Sequence, residues 1–180
     1  MADAKEDQGS RDPLLAVTRV VITVALGLCI LSLIALPIAL AALFARRDQF
    51  AAKLAEQGII DAAPWIAVIM MIAALVAVLG FFFLRHLRRI IDSVSEGDPF
   101  APANADRLRN MAWLVLAVQL IAIPATPLVI WFDAAPFKPN VHHGAGGISI
   151  GGLLLASILF VLARVFRTGA TMRGELEGTV

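Results

Sequence analysis

The stretch WIAVIMMIAALVAVLGFFFL, from Trp65 to Leu84, contains no charged side chain. It matches the about 20 apolar residues with which a helix crosses roughly 30 Å of hydrocarbon, so it reads as a membrane span. Working outward, three further runs share this character: Val20 to Ala45, Met111 to Phe132 and Gly144 to Ala163. Four such runs predict an all-α integral membrane four-helix bundle. With 59% hydrophobic and 16% charged residues, the chain is too apolar for a soluble domain of 180 residues, and little of it is left to stand outside the membrane. It reads as a single membrane domain.

Lysine and arginine bias predicts the orientation. With the N-terminus inside, eleven of the 15 basic residues are cytoplasmic: Lys5, Arg11, Arg19, Arg85, Arg88, Arg89, Arg107, Arg109, Arg164, Arg167 and Arg173. Arg46, Arg47, Lys53 and Lys138 fall outside. The expectation is a multi-pass protein of a bacterial inner membrane with both termini cytoplasmic. Trp65, Trp113 and Trp131 stand near span ends, where amphipathic rings favour the interface. A competing reading makes the first run a signal peptide cleaved near Ala39-Leu40-Ala41, but its apolar core is longer than a signal peptide's.

Outside the spans, residues 1 to 13 read as a short polar tail, and Arg46 to Gly58 as a short helix on the outer surface, with Phe50 and Leu54 on one face. The link from Asp133 to His143 contains Pro136 and Pro139 and should be irregular. Between spans two and three, residues 85 to 110 predict a cytoplasmic helical hairpin. Leu84, Leu87, Ile90, Ile91 and Val94 recur at helical steps, opposite Arg85, Arg88, Arg89, Asp92 and Glu96. Gly97 should stop that helix, Asp98-Pro99 break it, and Asn104 cap the next, which runs through Arg107 and Arg109. These basic stems face anionic headgroups.

The segment Glu96-Gly97-Asp98-Pro99-Phe100, with Asn104, Arg107, Leu108 and Arg109, resembles the loop of the domain-of-unknown-function 2975 family of bacterial membrane proteins. The stretch Leu162-Ala163-Arg164-Val165-Phe166, then Gly169 and the ending Leu176-Glu177-Gly178-Thr179-Val180, is similar to that family's tail, although Gly178 stands where a larger apolar residue is expected. The resemblance implies an inner-membrane protein without an established biochemical role, often encoded beside a small helix-turn-helix regulator. Such a regulator is therefore the natural cytoplasmic partner to test. Gly97, Pro99, Phe100, Asn104, Arg107, Arg109 and Phe166 are the candidate partner-docking residues. In the cytoplasmic tail, 164 to 180, Gly169 and Gly174 argue against a rigid helix.

Chemistry finds little purchase. Gly147-Ile148-Ser149-Ile150-Gly151 matches the G-x-S-x-G nucleophile pattern, but it opens a span, whereas that chemistry needs a strand, a strained turn and a helix. Its small residues better suit close helix approach. His142-His143, with Asp133 alone nearby, makes a poor metal site, and no histidine lies in a span to ligate haem. Met70 and Met71 read as packing residues. No catalytic residue, metal or cofactor is expected, and direct nucleic-acid binding is disfavoured at a net charge of +1. Cys29, the one cysteine, can form no intrachain disulfide.

Ion-coupled transport marks its path with charged groups, and the spans have none. Gln119, ahead of Pro124 and Pro127 in span three, is the candidate intramembrane polar site. An interhelical hydrogen bond is its simpler role. Pro37 is a second expected bend. Two functions follow: a non-enzymatic regulatory or interaction protein seated in the lipid bilayer, or a small homo-oligomeric transporter, channel or protective factor against a membrane-active compound.

Overall fold

The computed structural model describes residues 13–46, 48, 49, 52, 62–134 and 147–177. Four helices carry them: α1 (Pro13–Ala45), α2 (Ala62–Ser95), α3 (Pro102–Ala134) and α4 (Ile150–Glu177). All four are long and apolar enough to cross a membrane, and the described residues contain no strand. This is an all-α protein with the composition of a multi-pass membrane protein. The surface helix expected between Arg46 and Gly58, the link through His143 and the extreme termini lie outside the described residues, or largely so.

Each helix is longer than the bilayer requires. At about 1.5 Å per residue, the 34 residues of α2 span about 50 Å, against roughly 30 Å of hydrocarbon. The surplus lies where α2 and α4 leave their apolar runs at Arg85 and Arg164, so the arginine-rich ends stand together beyond the spans.

Among the described residues the helices approach one another as neighbours in sequence: α1 on α2, α2 on α3, α3 on α4. They form an open row, with no backbone approach of α1 to α4 to close it. The best-buried cluster joins α3 and α4 through Leu108, Met111, Ala112, Leu159 and Ala163. Phe83, Leu87 and Ile90 of α2 pack against it. The apolar faces left outside, including Val20, Val24, Leu28 and Leu31 of α1, are what a lipid solvent accepts.

The fourth helix starts at Ile150, just after Gly147, whose φ of 98° a right-handed helix excludes. It also continues past the apolar run to Glu177, through both Gly169 and Gly174. The α4 extension packs against the α2–α3 turn, and that packing offsets the poor helix propensity of glycine.

Candidate functional site

The arginine-rich end holds most of the side-chain hydrogen bonds between helices among the described residues, and its construction starts at the end of α2. Gly97 has φ of 85°, the left-handed conformation that glycine adopts without a Cβ penalty. Its N–H donates to Val94 O, and the Asp98 N–H donates to Ser93 O, both at 3.1 Å. Those two bonds form a Schellman closure, as expected of the Gly97 stop.

The start of α3 departs from expectation. Asn104 does not cap the helix: Pro102 opens it, with its fixed φ suited to a first helical position, and the Asn104 N–H donates to Ala101 O at 2.8 Å. The Asn104 side chain instead crosses the hairpin and is 0% exposed. Its Nδ2 donates to Ser93 Oγ at 2.7 Å and to Pro99 O at 3.0 Å, and its Oδ1 accepts from Arg107 Nη1 at 2.8 Å. Ser93 Oγ in turn donates to Ile90 O at 2.8 Å, so both amide hydrogens of Asn104 and the Ser93 hydroxyl meet acceptors. Arg107 Nη1 also reaches Arg89 O on α2 at 3.0 Å. One amide and one guanidinium thus bind both stems and the turn between them.

Phe100 and Phe166 attach this hairpin to α4. Their rings lie 5.4 Å apart, and Phe100 rests on Gly169, where a Cβ would stand 3.0 Å from Phe100 Cδ1. Both rings, expected as docking residues, are engaged with each other, although Phe100 stays 43% exposed. Three Arg–Asp pairs complete the assembly. Arg19 of α1 reaches Asp92 of α2 at 3.0 Å, Arg167 of α4 reaches Asp106 of α3 at 2.6 Å, and Arg173 of α4 reaches Asp98 of the turn at 2.7 Å. Arg109 lies a looser 3.9 Å from Asp106. All are about half exposed, so each pair adds at most about 1 kcal/mol, and their joint effect is to align helix ends.

Ser93 and Asp106 were not singled out in the sequence, and Asp92 and Asp98 were read only as a charged helix face and a helix break, not as partners in this assembly. Nothing in local spacing marks them, since their partners lie up to 75 residues away. His86 was also missed. It sits two residues past the apolar run of α2, with its buried Nδ1 lacking a hydrogen-bond partner among the described residues. Burial first, then the charges of Arg89, Arg107 and Arg85, hold its pKa below the usual imidazole range.

Gln119 lies apart from this end, at the opposite end of the α3–α4 contact. It is 9% exposed, and its Nε2 donates to Ser149 O beside the start of α4. Its amide occupies the space above Gly152, where a Cβ would come within 2.6 Å of Gln119 Cδ. Within one chain it is a helix–helix tie. Ser149 supplies its Oγ to the Gly152 N–H at 3.4 Å, as the residue capping α4. His142 and His143 lie outside the described residues, and no group of three potential metal ligands occurs among the described ones.

No curated protein and no solved structure matches the chain. A family does: the one described as "Protein of unknown function (DUF2975)" matches residues 6–180, a range that takes in the Gly97 turn, the Asn104 hub and the α4 extension. By a match that spans every described helix, the chain belongs to the DUF2975 family.

Proposed function

We propose that this protein is a non-enzymatic interaction protein of a bacterial inner membrane, with its arginine-rich end cytoplasmic and shaped to receive a cytoplasmic protein. The observation that carries this reading is the attachment of the hairpin turn to the α4 extension by Phe100, Phe166 and the Arg173–Asp98 pair. Residues 164 to 177 continue α4 by about 20 Å beyond its apolar run, a length that a span alone does not need. The attached turn and extension leave Glu96, Phe100, Val165 and Met172 exposed on a preorganised frame. Preorganisation lowers the ordering cost of binding, which suits a docking platform. The positive-inside bias supports the orientation. A helix-turn-helix regulator, implied by the family resemblance, is the partner to test first. The engagement of Gln119 within the chain gives no support to an oligomeric path through α3.

The test is in-cell photocrosslinking from Glu96 and Met172, with mass spectrometry of what is captured. The expected result is one cytoplasmic regulator captured at both positions and lost in the Phe100→Ala, Phe166→Ala double variant. Capture of lipid or further copies of the chain alone would sink the interaction reading.

A further inference from the structure

Beside the hairpin, α3 and α4 form a half-open cavity of about 150 Å³ lined by Arg109, Phe160, Ala163, Arg164 and Arg167. Phe160, Ala163, Arg164 and Arg167 follow steps of three and four along α4, so one helix face supplies both an apolar floor and two guanidinium groups. Arg109 lines the cavity from α3. Its neighbour one turn on, Trp113, meets Phe160 edge to face at 5.5 Å. The three arginines face a single carboxylate: Asp106 pairs with Arg167 at 2.6 Å and stands 3.9 Å from Arg109. Among the described residues no carboxylate pairs with Arg164. The cavity is therefore cationic, apolar at its base, and placed where α4 leaves its apolar run.

The geometry points to a binding site for the phosphate group of an anionic phospholipid. Guanidinium groups match phosphate oxygens in a fork geometry, and a cavity of about this volume admits a guest the size of benzene, enough for a phosphate group and its first carbons. The shared chemistry is a phosphate oxyanion, which free phosphate also carries. The lipid is favoured because the floor is apolar and the same α4 face continues toward the apolar run through exposed Leu153, seven residues before Phe160, with exposed Trp113 beside it on α3, a surface along which an acyl chain can lie. A choline headgroup would bring its cation against the arginines. The site stands independently of the docking surface proposed above.

Native mass spectrometry of the full-length protein in detergent tests it, with phosphatidylglycerol or phosphatidylcholine added as the probe. The expected result is one phosphatidylglycerol retained per chain in preference to phosphatidylcholine. Arg164→Gln should weaken that retention about fivefold, the weight of one arginine at an anionic surface. Arg85→Gln, which removes an arginine outside the cavity, should leave it unchanged. Because Arg164 has no ion-pair partner among the described residues, its loss should leave the thermal unfolding midpoint in place, separating lost binding from lost folding. Equal retention of the two lipids, or equal weakening by Arg85→Gln, would overturn the site. Inorganic phosphate competing as well as phosphatidylglycerol would overturn the lipid assignment in favour of the free anion.

Discussion

The side-chain amide of Asn104 donates to the hydroxyl of Ser93 across the hairpin at 2.7 Å, joining the first turn of α3 to the last turn of α2. Because Asn104 is fully buried, removing it takes three hydrogen bonds at once, from Ser93 Oγ, Pro99 O and Arg107 Nη1, although Ser93 keeps Ile90 O and Arg107 keeps Arg89 O. Asn104→Ala should cost about 1–3 kcal/mol, the penalty of buried polar groups left without partners. Ser93→Ala should cost less, and the double variant should fall short of the sum. Unfolding by denaturing detergent, followed by circular dichroism, measures all three; strict additivity would show that the bond carries no coupling.

Gly152 and Gln119 should couple more strongly, because here the second change relieves the first. Gly152→Ala places a methyl group where the Gln119 amide lies, an overpacking that costs about 1–3 kcal/mol. Gln119→Ala alone gives up one interhelical hydrogen bond, about 0.6 kcal/mol in membrane proteins. Together the changes should restore part of the loss, since the small side chain at 119 vacates the space. The same unfolding assay reads it, and a double variant worse than Gly152→Ala would contradict the packing described.

For the aromatic contact, a double-mutant cycle over Phe100→Ala and Phe166→Ala should return a coupling of about 0.5–1.5 kcal/mol. Hydrogen exchange should also rise along residues 166 to 177 in either single variant, because the α4 extension contains Gly169 and Gly174 and leans on the hairpin to remain helical.

His86 predicts a pH dependence. Its folded pKa is lowered, so as pH falls below about 6.5 the unfolded chain takes up the proton first and stability declines. Above that range both states hold a neutral imidazole and the effect vanishes. Unfolding midpoints measured between about pH 7 and pH 5 should fall for the wild type and fall less for His86→Gln. Equal slopes would show that other groups are responsible.

The spans were legible because apolar length is a strong, local signal, and Gly97 was legible because only one residue type sits comfortably at its φ. Asn104 misled for a physical reason. Asparagine near a helix start favours the cap, but Pro102 took the first helical position, and a buried cross-hairpin network claimed the amide. The persistence of α4 through two glycines was equally hidden, since Gly169 is where Phe100 packs and that contact is tertiary. Asp92, Asp98 and Asp106 read as ordinary solvated charges until the helix ends come together.

Whether the charged helix ends form one cytoplasmic platform is decided by single-cysteine labelling in spheroplasts. In a Cys29→Ala background, cysteines at Glu96, Met172 and Arg46 would be probed with a membrane-impermeant maleimide. Labelling is expected at 46 in intact spheroplasts, and at 96 and 172 only after permeabilisation. Labelling of 96 or 172 in intact spheroplasts would contradict a cytoplasmic platform, and would place both the docking surface and the proposed lipid site on the wrong side of the membrane.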